Sequence, residues 1–271
     1  MFGKLMKYEM KSLSKGLIPL YGAILAVALI NSIMWSISSN SPVGIGGTIS
    51  GLSQLTAMML YFGLCVAVAV VTLLVVIQRF FKGLLGREGY LMFTLPVPSW
   101  QLICSKLLGA TIMTILSGFV GILSVFILAS FSIGIDWSSF FESPRLFDAW
   151  TMDFSLICIE LVLTAILSIT SSVLQIYLAM CLGHLSNRHR VAMSFVWYIA
   201  ISTALSFISG LFLIVIGYSP AMTNWITNFL LSTPIMGTHS VMWFTIIVSV
   251  IESVAFFLGT AWILKRKLNL E

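Results

Sequence analysis

Residues 56–78 read TAMMLYFGLCVAVAVVTLLVVIQ, an uncharged apolar run that is followed at once by the basic, aromatic segment RFFKG, residues 79–83. A helix needs about 20 apolar residues to cross the hydrocarbon core of a bilayer, because each residue advances it by about 1.5 Å. In lipid such a run satisfies its backbone hydrogen bonds by forming a helix. The stretch therefore predicts a transmembrane helix that ends at a polar boundary.

Five other stretches meet the same requirement and alternate with short polar connections. They are residues 17–38, 101–131, 155–183, 191–217 and 240–264. Charged residues make up 8% of the chain, against roughly 25% in a soluble domain, and hydrophobic residues make up 59%. No connection is long enough for a separate folded domain. The sequence predicts an all-α polytopic membrane protein, with residues 1–271 forming a single domain of six transmembrane helices.

The positions of the basic residues predict how the chain is oriented. If the N-terminus is inside, all fourteen Lys and Arg residues except Arg145 fall on the inner side. Short loops rich in Lys and Arg remain cytoplasmic. Both termini are therefore predicted to be cytoplasmic in a multi-pass plasma-membrane protein. The net charge of +5 comes from these inner segments, so it does not indicate a partner nucleic acid.

Residues 1–16 have a helical periodicity of their own before the first span. Apolar side chains recur every three or four positions, opposite a membrane-surface stripe of Lys4, Lys7, Lys11 and Lys15. We expect an interfacial amphipathic helix with its lysines against anionic lipid headgroups. The alternative is that these lysines only fix the topology.

Two glutamates fall inside predicted spans, Glu160 in the outer part of the fourth and Glu252 near the middle of the sixth. A charge at the bilayer centre costs about 3 kcal/mol, so both side chains should face the bundle, a cavity or a partner chain. Neither has a predicted cationic partner at its depth. The candidates for a substrate cavity are Glu160, Thr164, Gln175, Ser249 and Glu252. The alternative is a neutral glutamate that hydrogen-bonds a neighbouring helix, which is preferred for Glu160.

Small and polar residues also recur at helical spacing along the third span, at Ala110, Thr114, Ser117, Gly121 and Ser124. Helices in lipid associate through close packing over small residues and through interhelical hydrogen bonds. We interpret this stripe as a packing surface.

Sequence motifs for catalysis or metal binding are absent. The chain has no phosphate-binding G-x-x-x-x-G-K-[ST] loop, no H-E-x-x-H pair and no G-x-S-x-G elbow. The four cysteines lack C-x-x-C spacing and are expected to be buried apolar residues. We predict no catalytic residue, no metal site and no cofactor in this chain, and hence no enzyme.

The connection after the second span, residues 79–100, is unusually aromatic. Phe80, Phe81, Leu84 and Leu85 can form the apolar side of a short helix, with Arg79, Lys82 and Arg87 on its polar side. Pro96 and Pro98 disfavour helix in the residues before them. A helix is expected to restart at Ser99, a plausible N-cap. This mix of side chains suits docking into a groove on another protein, or contact with the lipid surface alone.

The segment FFKGLLGREGYLMFTLPVP, residues 80–98, followed by SWQLICSKLLGA, residues 99–110, resembles permease subunits of bacterial ABC exporters of the second (ABC-2) class. The stretch from Glu88 to Pro96 is its most specific part. In that family the connection after the second span supplies a coupling helix for a separate ATPase. The resemblance implies an ATPase-coupling role for Phe81, Lys82, Leu85, Arg87, Glu88 and Tyr90. It implies a second inner contact at His184, Asn187, Arg188, His189 and Arg190.

The resemblance further implies the partners. ATP and Mg would bind ABC ATPase subunits, and a second permease chain, identical or similar, would complete a dimer in the bacterial plasma membrane. The cargo would be a hydrophobic or amphipathic substrate, such as an antimicrobial or toxin peptide. The alternatives are an ion-coupled transporter or channel that uses Glu160 and Glu252, and a membrane enzyme, whose catalytic residues are missing.

The predicted orientation can be tested with single cysteines. A cysteine in place of Ser138 should react with an impermeant thiol reagent added outside intact cells, whereas one in place of Ser186 should not, because charged reagents do not cross the bilayer. The reverse pattern would invert the topology.

Overall fold

The computed structural model describes residues 2–39, 45–85, 99–132, 152–186, 189–232 and 234–266. Within these ranges the chain forms seven α-helices and one π-helical turn, and no β-strand. The helices are α1 (Phe2–Ser39), α2 (Ile45–Phe80), α3 (Ser99–Ser132), α4 (Met152–His184), α5 (Arg190–Tyr218), α6 (Pro220–Ser232) and α7 (Pro234–Arg266). The π-turn, Phe81–Leu85, continues α2.

Six segments are long and apolar enough to cross a membrane. They are Met6–Trp35, Gly51–Leu84, Trp100–Ser130, Ser155–His184, Arg190–Phe212 and Met236–Lys265. Each contains most of one predicted span, and α6 is the one helix of the described chain that contributes none. The prediction of an all-α polytopic membrane protein is confirmed.

The N-terminal segment differs from its prediction in one respect. Helix α1 runs without a break through residue 16, so residues 1–16 are not a separate helix from the first span. Leu13 is buried, and a Cβ atom placed on Gly109 of α3 would lie 3.4 Å from it. Lys7, Lys11 and Lys15 are exposed, as the amphipathic pattern predicts. The position of these lysines at the lipid surface stays a prediction.

Two predicted outer connections are more helical than expected. Helix α2 begins at Ile45, within the connection between the predicted first and second spans, 17–38 and 56–78. Most of the stretch 218–239 is also helical, in α6 and the first turns of α7. Hydropathy identifies only the part of a helix that lies in lipid. The helix can continue outside the lipid where the residues are uncharged Ser, Gly and Asn.

The chain divides into two compact units. The first comprises Met1–Gln78 and Leu108–Phe147, and the second comprises Arg79–Leu107 and Asp148–Glu271. In the first, Tyr21 Oη is hydrogen-bonded to Ser117 Oγ, and Thr72 Oγ1 lies 3.0 Å from that same oxygen. Two turns further along α3, Tyr61 Oη lies 2.8 Å from Ser124 Oγ. The small-residue stripe of the third span is therefore a packing surface, as predicted.

In the second unit, α4 packs along both α5 and α7. Helices α4 and α7 run parallel, because Glu160 contacts His239 near the start of both, and Leu178 meets Gly259 near the end of both. Helix α5 runs antiparallel to α4, since Gly183 near the end of α4 lies against Ser194 near the start of α5, whereas the earlier Gln175 Nε2 donates a 2.7 Å hydrogen bond to the later Ser202 Oγ. Helix α4 is therefore in contact with both α5 and α7, through the polar side chains of Glu160 and Gln175 and the apolar side chain of Leu178.

The hydroxyl contacts of the first unit predict a stability effect. Ser117→Ala removes the bonds to Tyr21 and Thr72, and should lower the free energy of unfolding in detergent micelles by about 1 kcal/mol, since one interhelical bond in a membrane protein averages about 0.6 kcal/mol. The matched control is Ser130→Ala, whose hydroxyl donates to the Ile127 carbonyl of its own helix. Equal losses in titrations with a denaturing detergent would show that the interhelical bonds contribute nothing.

Candidate functional site

The end of the second span is tied to the fourth by an aromatic stack. The rings of Phe80 and Tyr177 have centroids 3.9 Å apart and an angle of 16° between their planes. Phe80 is fully buried, at 0% exposure. Tyr177 Oη donates a 3.3 Å hydrogen bond to the carbonyl oxygen of Lys106 in α3. Within the second unit, these contacts join the last residues of α2 and the first turns of α3 to α4.

The π-turn begins directly after this stack. A π-helical turn contains one extra residue relative to an α-helical turn, and such turns are frequent at functional sites. Leu84 is buried, whereas Lys82 is exposed. Gly83 faces the ammonium group of Lys106 so closely that a Cβ atom at residue 83 would overlap it, and Lys106 itself is only 5% exposed. Because Gly83 has no side chain, the ammonium group of Lys106 can lie directly against the π-turn.

The π-turn also meets the connection between α4 and α5. The Phe81 ring centroid is 6.1 Å from that of His184, at an angle of 55°. The Nε2 atom of His184 lies 3.4 Å from Nη1 of Arg190, the first residue of α5. The structure thus brings together the two segments that were predicted separately as inner contacts. We call this the junction surface: Phe81, Lys82, His184, His189 and Arg190.

The junction surface is polar and partly aromatic. Lys82, His189 and Arg190 are exposed, and Phe81 and His184 are half-buried. Three exposed nitrogen-bearing side chains, a half-buried histidine and one half-buried aromatic ring match an acidic groove with an apolar pocket. Such a surface can bind a protein partner through charge complementarity and one buried anchor.

Several predicted coupling residues lie outside the residues that the structure describes. They are Arg87, Glu88 and Tyr90 of the first segment and Asn187 and Arg188 of the second. Leu85 ends the π-turn. The proposed roles of these residues stay predictions.

The carboxylate of Glu160 has a partner that the sequence analysis missed. Its Oε2 atom lies 2.8 Å from Nδ1 of His239 in α7, and the two side chains are 12% and 20% exposed. The expectation that Glu160 lacks a partner at its depth is therefore wrong. It failed because His239 lies one residue before the predicted sixth span, 240–264, whereas the helix of that span begins at Pro234 and includes it. An ionised carboxylate can only accept, so it requires the proton on Nδ1.

The other four cavity candidates differ in how they are bonded. The Thr164 hydroxyl donates to the Glu160 carbonyl oxygen of its own helix, at 2.7 Å. The Gln175 amide is bonded to Ser202. Ser249 is buried. Glu252 is half-buried and forms no hydrogen bond or ion pair with any residue in the described ranges. Glu252 and Ser249 are thus the candidates whose side chains form no hydrogen bond or ion pair in the described ranges.

Metal-binding clusters and disulfides are not found among the described residues. No group of three or more His, Cys, Asp or Glu side chains lies together there. All four cysteines are free; Cys181 is buried, whereas Cys158 is exposed, contrary to the expectation that each is buried.

Sequence reasoning also missed Tyr177 and Gly183 as parts of this site. A Cβ atom on Gly183 would lie 2.6 Å from Cα of Ser194, so the short turn between α4 and α5 requires a glycine there. The sequence offered one signal, an isolated glycine near the end of a helical run and just before a polar segment. The position of Tyr177 opposite Phe80 depends on helix packing and has no local signal.

Comparison of the sequence with protein-family models and with curated proteins finds no match, and a search of solved structures finds none either. These comparisons therefore give no support for the family that the segment 80–110 resembles.

Gly183 gives a direct test of the packing at the junction. Gly183→Ala should destabilise the chain by about 1–3 kcal/mol, the usual cost of overpacking, because the added methyl group meets the backbone of α5. Gly210→Ala is the matched control, since no atom lies within 4 Å of a Cβ there. Thermal unfolding in micelles, followed by helical circular dichroism, should show a loss for the first variant alone. Equal midpoints would contradict the close approach.

The Glu160–His239 contact predicts energetic coupling between α4 and α7. In a double-mutant cycle, Glu160→Ala and His239→Ala should together cost about 1 kcal/mol less than the sum of the single changes, since the second change has no bond left to break. In the control cycle, Glu160→Ala is combined with Ser240→Ala. The Ser240 hydroxyl donates to the Gly237 carbonyl oxygen of its own helix, so the two losses should be additive. Unfolding titrations that give additive losses for Glu160 and His239 would rule out the pair.

Proposed function

We propose that this chain is the membrane-spanning permease subunit of a bacterial ABC exporter. It would span the plasma membrane with both termini in the cytoplasm and contain no ATPase site of its own. Two such chains, identical or similar, would associate with two ABC ATPase subunits that bind ATP and Mg. The cargo would be a hydrophobic or amphipathic molecule, with antimicrobial or toxin peptides as the favoured class.

The single observation that supports this proposal best is the contact between Phe81 and His184. The resemblance assigns coupling roles to two segments far apart in the sequence, and Phe81 of one lies against His184 of the other, next to the exposed Lys82. A surface of this kind suits a partner that must engage both connections at once.

The mechanism follows from how the junction is attached to the spans. ATP binding closes the ATPase subunits, and their movement displaces the π-turn. The stack of Phe80 on Tyr177 passes that displacement to α4, which packs along α5 and α7. The bundle then changes the membrane face to which its substrate site opens. ATP can drive this change only by binding one conformation of the complex more tightly than the other.

An ion-coupled transporter is the second candidate, and one observation favours it. The Glu160–His239 pair joins a carboxylate to an imidazole near the predicted outer end of two spans. Such intramembrane pairs mark proton relays in pumps and transporters. The two candidates differ in their energy source, so transport by the purified chain in vesicles with an imposed proton gradient and no nucleotide would favour this one.

The exporter proposal is tested at Lys82. Lys82→Ala should weaken binding of the ATPase subunit about tenfold, since an interface anchor contributes about 1–2 kcal/mol. It should leave the fold intact, because the side chain is exposed. Lys265→Ala is the control, an exposed lysine on the same predicted side of the membrane. Co-purification and cargo-stimulated ATP hydrolysis are the two measurements.

Phe81→Ala provides a second variant at the same surface. It should reduce stimulated ATP hydrolysis while the permease remains in the membrane at its normal level. Normal coupling in both Lys82→Ala and Phe81→Ala would contradict the assignment of the junction surface to the ATPase.

A further inference from the structure

A layer of polar side chains lies midway along the second unit. Glu252 is near the centre of the segment Met236–Lys265 and two helical turns before Gly259. Since Gly259 meets Leu178, and α4 runs parallel to α7, Glu252 is level with Ser171 of α4. The bonded pair of Gln175 and Ser202 lies one turn away. The middle of this unit therefore contains polar groups from three helices.

Most members of this layer are satisfied within the chain. Ser171 Oγ donates to the Ser168 carbonyl oxygen at 3.1 Å, and Gln175 donates to Ser202. Two groups differ. Ser253 Oγ is buried without a hydrogen-bond partner in the described residues, and the neighbouring Glu252 carboxylate lacks one there too. A buried hydroxyl without a hydrogen-bond partner is destabilising, because it has lost its bonds to water and gained none in the protein.

These groups and Ser249 share one side of α7. Residues separated by three or four positions are neighbours on a helix surface, which places Ser249 beside both Glu252 and Ser253. All three present oxygen atoms. An ammonium group has three N–H donors and no acceptor, so it is the complement of a carboxylate flanked by two hydroxyls.

The chain itself does not supply such a cation among its described residues. His239 is paired with Glu160, and Lys265 lies more than three turns further along α7. Glu252 is half-buried and therefore accessible on one side. Exposed neighbours on that helix, Val248 and Ile251, are apolar. The accessible side suits a molecule that joins a positive charge to a hydrocarbon body.

We propose that Glu252, with Ser249 and Ser253, binds the primary ammonium group of a cationic amphiphile, such as a lysine side chain of an amphipathic peptide. This inference rests on the proposed function and deepens it, because it assigns the charge of the cargo. The carboxylate pairs with the ammonium ion, the hydroxyls accept its remaining hydrogen bonds, and the apolar neighbours contact the hydrocarbon part.

The test uses the full chain in its native membrane, without nucleotide. Dicyclohexylcarbodiimide modifies carboxyl groups in apolar surroundings, and mass spectrometry measures the modified fraction at each glutamate. The probe is n-dodecylammonium, and n-dodecanol is the control with the same hydrocarbon chain. Dodecylammonium should lower modification of Glu252 about fivefold or more, because an ion-paired carboxylate is shielded from the reagent. Dodecanol should leave it unchanged.

Two internal controls define the site. Modification of Glu160 should respond equally to both probes, since His239 already occupies its carboxylate. Ser253→Ala should raise the half-protecting concentration of dodecylammonium about tenfold, because one hydrogen bond to a charged group is lost. Equal protection by the two probes, absence of protection, or a Glu252 that the reagent never modifies would each overturn the proposal.

Protection of Glu252 can be observed or not observed independently of the Lys82 test of ATPase binding. Protection at Glu252 needs no second subunit, so a failure of the Lys82 prediction would leave this result intact. Conversely, loss of protection with normal ATPase coupling would exclude the cation site and retain the exporter.

Discussion

The stack of Phe80 on Tyr177 is the contact on which the arrangement of the second unit depends. It fixes the end of α2 to α4, and the π-turn starts at the next residue. Aromatic pairs contribute about 0.5–1.5 kcal/mol beyond the area that they bury. With Phe80 held in this way, a force applied to the π-turn acts on a helix that itself packs along α5 and α7. Without it, the connection could move and leave the spans in place.

The intramembrane polar side chains of the two units differ in how they are paired. In the first, the hydroxyls of Tyr21, Ser117 and Tyr61 bond across helices, which is what a bundle needs when lipid provides no hydrophobic force between helices. In the second, Glu160 is matched by His239, whereas Glu252 has no match in the described chain. The carboxylate of Glu160 is therefore already engaged within the chain, whereas that of Glu252 is not.

The six spans and the start of α3 at Ser99 were predictable, because hydropathy and capping depend on local composition. The start of α2 at Ile45 and the start of α6 at Pro220 were not predictable, since uncharged polar residues permit helix outside the hydrocarbon core. The pairing of His239 with Glu160 depends on the parallel register of α4 and α7, which no local pattern encodes. The same holds for Phe80 and Tyr177. Both segments of the junction surface can be singled out from the sequence, but their contact is a property of helix packing.

The central claim is that the junction surface is the docking site of a nucleotide-hydrolysing partner. The most direct measurement replaces Lys82 with a photoreactive amino acid in the native host, irradiates whole cells and identifies the cross-linked protein by mass spectrometry. The account predicts a covalent adduct with a cytoplasmic protein that contains a phosphate-binding loop, and its yield should change when cellular ATP is depleted. Cross-links to lipid alone, or to a protein without a nucleotide site, would contradict it.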